Sequence, residues 1–129
     1  MLESLRKEIA QLDTIQAIAV ALVEYAIALV PDNHIEAKGS RFVLSPENFA
    51  TFTIHSARAN NLTVSLRGNP EEFEHQSELE IVKDQNGYSS FKLKQTGQLA
   101  AASIYIRRTH ELYSRGRGRP VLKPKTVES

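Results

Sequence analysis

The residues of this chain that could do chemistry are four histidines, 15 carboxylates and a run of arginines near one end. His34, His55, His75 and His110 lie 21, 20 and 35 residues apart. No pair therefore has the i, i+3 or i, i+4 spacing that sets two ligands on one helical face for a local metal site. Each reads as a surface or hydrogen-bonded histidine. His55 with Arg58 and Arg67 could line one end of a sheet and accept an anion, although charged tips on strands more commonly belong to a solvated face. The sequence holds no Gly-rich phosphate loop and no paired catalytic carboxylates. With no cysteine there is no thiol nucleophile, thiolate metal site or disulfide, which fits a reducing compartment, and the cytoplasm is the expected location. The expectation is a protein without a reaction of its own, without metal and without cofactor.

Charge distribution directs attention to the C-terminal end. The formal net charge is only +1, but residues 1–106 carry 9 Lys+Arg against 13 Asp+Glu, a balance of −4, whereas residues 107–129 carry 7 against 2, or +5. An acidic body repels nucleic acid and a basic end attracts it, so a polyanion would be met by the tail. From Arg115 on there is no apolar periodicity, two glycines and two prolines appear, and five basic residues precede the next acid, Glu128. Such a segment cannot bury a core, and residues 115–129 are expected to be a flexible basic tail.

Within the tail, Arg115-Gly116-Arg117-Gly118-Arg119-Pro120-Val121-Leu122-Lys123-Pro124-Lys125 resembles the AT-hook, a short DNA-binding motif built on an Arg-Gly-Arg-Pro core. Residues 117–120 match that core, and Val121-Leu122 stand where further basic residues are usual. The resemblance implies that Gly118 lets the backbone approach the groove floor while Arg117 and Arg119 run along it toward A N3 and T O2 acceptors. Pro120 would keep the chain extended. A·T tracts favour this because their minor groove is narrow and strongly negative, so discrimination is A·T against G·C only. Arg115, Lys123 and Lys125 would reach phosphates. The implied partner is A·T-rich double-stranded DNA. RNA is an alternative, since Arg-Gly segments also bind single strands, and a merely electrostatic tail on a protein-interaction module is another.

A second likeness is weaker by its spacing. Pro31-Asp32 followed by Glu36-Ala37-Lys38 is similar to the Pro-Asp and Glu-x-Lys pair with which a nuclease superfamily holds Mg²⁺. In that superfamily the two acids sit on paired strands with a turn between them, whereas three residues separate Asp32 from Glu36 here. We read the match as coincidence.

These residues need elements to hold them. Leu2, Leu5, Ile9 and Leu12 recur at helical spacing, as do Ile15, Ala19, Leu22, Ala26 and Leu29. The phase slips between Leu12 and Ile15, where Asp13 or Thr14 could cap a second helix, so residues 2–30 form two helices or one bent helix that Pro31 closes. Residues 14–30 fall short of the roughly 20 apolar residues of a membrane span, and Gln16 and Glu24 interrupt them. The N-terminus, with Glu3, Glu8 and Asp13 beside Arg6 and Lys7, does not read as a signal peptide. Ala17, Ala21 and Ala28 share a helix face with Glu24, which would let two copies pair closely as a homodimer.

From residue 41 to 94 the period changes to two: Ala50, Phe52 and Ile54, then Leu62, Val64 and Leu66, then Leu79 and Ile81, then Phe91 and Leu93. Asn60-Asn61, Gly68-Asn69-Pro70 and Asn86-Gly87 supply turns between them. This predicts an antiparallel meander of about four or five strands that are neighbours in sequence order. After Thr96, read as an N-cap, Leu99, Ala102, Ile106 and Tyr113 return to helical spacing and predict a helix over 97–114. Helix or helix pair, sheet, helix is an α+β order, with residues 1–114 as one domain whose helices cover one face of the sheet. Residues 48–73, ending Leu66-Arg67-Gly68-Asn69-Pro70-Glu71-Glu72-Phe73, with the helix ending Glu111-Leu112-Tyr113, resemble a family of small α+β domains of unknown function. Members of that family are attached to predicted transport or restriction-associated proteins, and the resemblance implies a fold and a binding role rather than a reaction.

Overall fold

The computed structural model describes residues 2–12, 15–39, 41–45, 48–55 and 61–113. Two helices come first, α1 (Leu2–Ile9) and α2 (Gln16–Leu29). Six strands follow: β1 (His34–Lys38), β2 (Arg41–Ser45), β3 (Ala50–His55), β4 (Asn61–Arg67), β5 (Val82–Lys83) and β6 (Tyr88–Leu93). Helix α3 (Leu99–Tyr113) closes the described chain. The architecture is α+β, with a helix pair, one antiparallel sheet and a C-terminal helix.

The break near residue 13 makes two helices rather than one bent one. Ile15 takes the N-cap position of α2 without a side-chain hydrogen bond. Gln16 instead points back: its Nε2 donates to the carbonyls of Ala10 (3.1 Å) and Leu12 (2.8 Å), satisfying acceptors that the end of α1 leaves open. Leu5, Ile9 and Leu12 are thereby turned into the same core as Ala19, Leu22 and Ala26. Arg6 meets Glu24 at 2.7 Å, a half-exposed pair that contributes at most about 1 kcal/mol.

Strand order in the sheet is β1-β2-β3-β4-β6-β5, antiparallel throughout. This corrects the expected meander at two points. Strand β1 is an additional strand, although Ile35 and Ala37 alternate with His34, Glu36 and Lys38; Gly39, at φ +64°, begins the reversal into β2. Leu79 and Ile81 are buried core residues of an irregular connection, not a strand; Leu79 makes one isolated bridge to Gln76, and Val82 and Lys83 pair with Ser90 and Ser89. The chain leaves β4, passes the end of β6 in residues 68–81, and returns through the β5–β6 hairpin, so β6 rather than β5 lies beside β4.

One face of the sheet is the core face. Phe42, Phe52, Val64 and Phe91 lie in register across four strands, flanked by Leu44, Leu66 and Leu62, Leu93. Helices α2 and α3 pack against each other and, with α1, cover this face. Helix α3 is not capped by Thr96. A short 3-10 turn (Thr96–Gln98) precedes it, and Gln98 Oε1 accepts from the backbone N–H groups of Lys94 (2.8 Å) and Gln95 (3.1 Å). The opposite face carries Thr51, Thr53, Thr63, Ser65 and Ser90 in partial exposure. No helix among the described residues is long and apolar enough to cross a membrane.

Candidate nucleic-acid interface

The predicted DNA contacts Arg115, Arg117, Gly118, Arg119, Pro120, Lys123 and Lys125 lie outside the described residues. Their attachment point is described in detail, because the last turns of α3 are bound to the 68–81 connection. Thr109, fully buried, donates its hydroxyl to the carbonyl of Arg67 at 2.6 Å. Arg108 Nε donates to the carbonyl of Glu72 at 3.0 Å, and the Tyr113 hydroxyl donates to Glu72 Oε1. Burial, with the Glu72 carboxylate beside it, pushes the Tyr113 phenol up to about 12. Two turns of helix earlier, the Tyr105 hydroxyl donates to the carbonyl of Leu79 (2.7 Å) and accepts from the N–H of Gln76 (2.9 Å), and burial raises its pKa as well.

Gly68 is needed at the start of this connection. Its φ is +122°, and a Cβ there would stand 3.1 Å from Phe73 Cε2 and 3.3 Å from Tyr113 Cε2. A hollow of about 540 Å³ lies between residues 71–74 and the outer side of α3. Its lining is acidic on balance, with Glu71, Glu72, Glu74 and Glu111 against Arg107 and Arg108, and both arginines approach Glu111, at 3.4 and 3.8 Å.

The uncovered face of the sheet is different. Although the body is acidic in total, its carboxylates Glu71, Glu72, Glu74, Glu78 and Glu80 fall in the connection from β4 to β5. Lys38, Arg41, Arg67 and Lys92 stand on the open face, against Glu36 and Asp84. None of these four cations is in an ion pair among the described residues. Arg67 lies over the Tyr88 ring, 5.7 Å from its centre, and donates through Nη2 to the carbonyl of Asn48 at 3.3 Å. Its Nε is buried without a partner among the described residues.

Of these residues, Lys38, Arg41, Asn48, Asp84 and Tyr88 border a polar hollow of about 300 Å³ on that face. Lys38 and Arg41, register partners across β1 and β2, stand at one side. Val43, Thr51 and Ser65, side by side on β2, β3 and β4, form the floor, and Val43 is only 6% exposed. Tyr88, Asp84 and Gln85 of the β5–β6 hairpin form the far side. Asp84 Oδ2 accepts the Ser65 hydroxyl at 3.0 Å. The hollow draws on five strands, so no local spacing announces it. The signal that could have found it is the pair of cations, Lys38 and Arg41, at outward positions of the adjacent strands β1 and β2.

The anion site expected from His55, Arg58 and Arg67 is not formed as a unit. His55 pairs with Asn61 at one end of β4 and Arg67 lies at the other, about 20 Å away at the rise of a strand; Arg58 lies outside the described residues. The four histidines sit on separate elements, with His34 Nε2 3.1 Å from Glu36 Oε2 and His110 edge-on to Phe49 at 5.4 Å. The His34 contact occupies the Glu36 carboxylate of the Pro-Asp/Glu-x-Lys likeness, and Asp32 lies in the turn before β1 rather than on a paired strand. No group of three or more metal-ligating side chains occurs among the described residues. Compared with known proteins, the chain matches no family model, no curated protein and no solved structure.

Proposed function

We propose that this is a DNA-associated protein without enzymatic activity, in which the tail enters the minor groove of A·T-rich duplex DNA and the folded body supplies its platform. The observation that carries this is the Arg117-Gly118-Arg119-Pro120 core in a stretch of five basic residues, joined to a body whose total charge is opposite. The anchoring of Thr109 and Tyr113 supports it, since a fixed root lets a tethered tail search from a defined point on the body. Ala17, Glu24 and Ala28 of α2 are exposed, and a second copy pairing there would bring two tails to one duplex. Sedimentation at micromolar concentration tests that pairing, which a strict monomer excludes.

Mobility shifts on A·T-rich and G·C-rich duplexes test the tail. Arg117→Ala or Arg119→Ala should weaken binding to A·T tracts far more than to G·C duplexes, because the guanidinium removed is the group that senses groove width and potential. Lys123→Ala with Lys125→Ala should weaken both alike and lower the salt slope by about 0.9 for each phosphate no longer neutralised. Equal losses on both duplexes for all four substitutions would reduce the tail to a polycation.

A further inference from the structure

Two halves of the sheet-face hollow carry opposite chemistry, and that polarity specifies a ligand. We propose that the hollow is a nucleotide site: Lys38 and Arg41 take the phosphate, the Tyr88 ring with Arg67 on it receives the base, and Asp84 accepts from an exocyclic amine. The proposal is independent of the tail, since every residue in it belongs to the sheet and its β5–β6 hairpin.

Lys38 and Arg41 are directly paired on adjacent strands, so their side chains leave the same face from Cβ atoms about 5 Å apart. No acid neutralises either among the described residues. A pair of uncompensated cations beside the Thr51 hydroxyl is a phosphate-binding arrangement, with charge from one side and a neutral donor from the floor, while the Ser65 hydroxyl is given to Asp84. Three inter-strand steps across the sheet and four residues along it separate Arg41 on β2 from Tyr88 on β6, about 20 Å on the diagonal. After long side chains reach inward, on the order of 10 Å remains, the span from a phosphate to the edge of its base.

The far side suits a base. Tyr88 is held by the guanidinium of Arg67, itself fixed by the carbonyl of Asn48, so ring and guanidinium form a rigid surface of the kind on which bases stack. Asp84 is an acceptor only, and among the described residues Ser65 is its one donor, on Oδ2. The other oxygen can take the amine of adenine, cytosine or guanine, whereas uracil offers a carbonyl oxygen at the corresponding edge. A volume of about 300 Å³ admits one nucleotide unit and excludes a duplex. That unit is either a free mononucleotide or one residue of a single strand.

Calorimetric titration of the full chain with AMP, UMP, inorganic phosphate and a single-stranded oligo-dA of about eight residues decides the matter. AMP should bind with a Kd below about 1 mM, with UMP and phosphate each weaker by about fivefold or more. Lys38→Gln with Arg41→Gln, both exposed and therefore harmless to the fold, should weaken AMP by about tenfold or more. Asp84→Asn should instead abolish the preference for AMP over UMP. Lys92→Gln, on the same face outside the hollow, should leave AMP unchanged. Oligo-dA binding at least about tenfold tighter than AMP, and weakened by Lys92→Gln, assigns the site to single strands; equal affinities assign it to free nucleotides. No AMP binding at millimolar concentration, or AMP affinity unmoved by the Lys38 and Arg41 substitutions, overturns the proposal. So does AMP binding abolished by Arg117→Ala with Arg119→Ala, which would place the contact in the tail, whereas the duplex mobility shifts judge the tail separately.

Discussion

Replacing Tyr105 by phenylalanine removes one oxygen and strands two backbone groups. The ring is completely buried and keeps its neighbours, Phe73 at 6.0 Å and Phe91 at 5.6 Å between ring centres, so packing is conserved. The Leu79 carbonyl loses its donor in a residue only 4% exposed, where water does not replace it, at a cost of about 1–3 kcal/mol. The Gln76 N–H loses an acceptor in a part-exposed residue and adds about 0.5 kcal/mol. Together the loss is about 1.5–3.5 kcal/mol, and at about 4 °C per kcal/mol for a chain of this size Tm should fall by about 6–14 °C. Urea denaturation of the full chain, followed by circular dichroism, measures it. The slope with denaturant should stay constant, since the exposed area is the same. A loss below about 0.5 kcal/mol would mean that the hydroxyl bridge does not hold the 68–81 connection to α3, and that apolar contact alone does.

Gly68→Ala forces a side chain into a left-handed backbone conformation and against the Phe73 and Tyr113 rings, and should cost about 1–3 kcal/mol by the same denaturation assay; a neutral result would show that φ relaxes freely there. Tyr113 gives a pH signature. Its folded pKa of about 12 lies above the ordinary 10, so between those values the unfolded chain releases a proton that the folded chain keeps. Its contribution is therefore whole below pH 10 and is lost as pH rises toward 12. Tyr113→Phe should flatten the decline of urea midpoint over that window, and parallel curves for the two proteins would refute the assignment.

Legibility from sequence followed locality. The alternating sets on β3, β4 and β6 declare their buried face because period two and burial coincide there, and Asn86-Gly87 marks the hairpin, with Gly87 at φ +85°. Strand β1 carries the same alternation but only Ile35 is deeply buried, so edge position weakened its signal. Leu79 and Ile81 show that spacing of two reports burial without reporting a ladder. The order β4-β6-β5 is fixed by the side chains of α3 that grip the connection, namely Tyr105, Arg108, Thr109 and Tyr113, and such long-range partners leave no local pattern. The hollow was hidden for the same reason. His55 and Arg67 look like neighbours when only their charge and strand position are considered, and antiparallel register puts them at opposite ends.

The packing of α2 on α3 joins residues 16–29 to residues 99–113, nearly the full span of the described chain. The hairpins from β1 to β4 close short loops, whereas the helix layer forms only after a long one has closed, and that search costs entropy before any contact rewards it. The order of assembly follows. The sheet is expected to be largely paired at the rate-limiting barrier, with α3 docking on the downhill side. Substitutions in α3 should then act chiefly on the unfolding rate, and Val64→Ala, at the centre of the paired strands, should slow refolding. A refolding rate that falls as steeply for Tyr105→Phe as its stability would place the docking of α3 before the barrier instead.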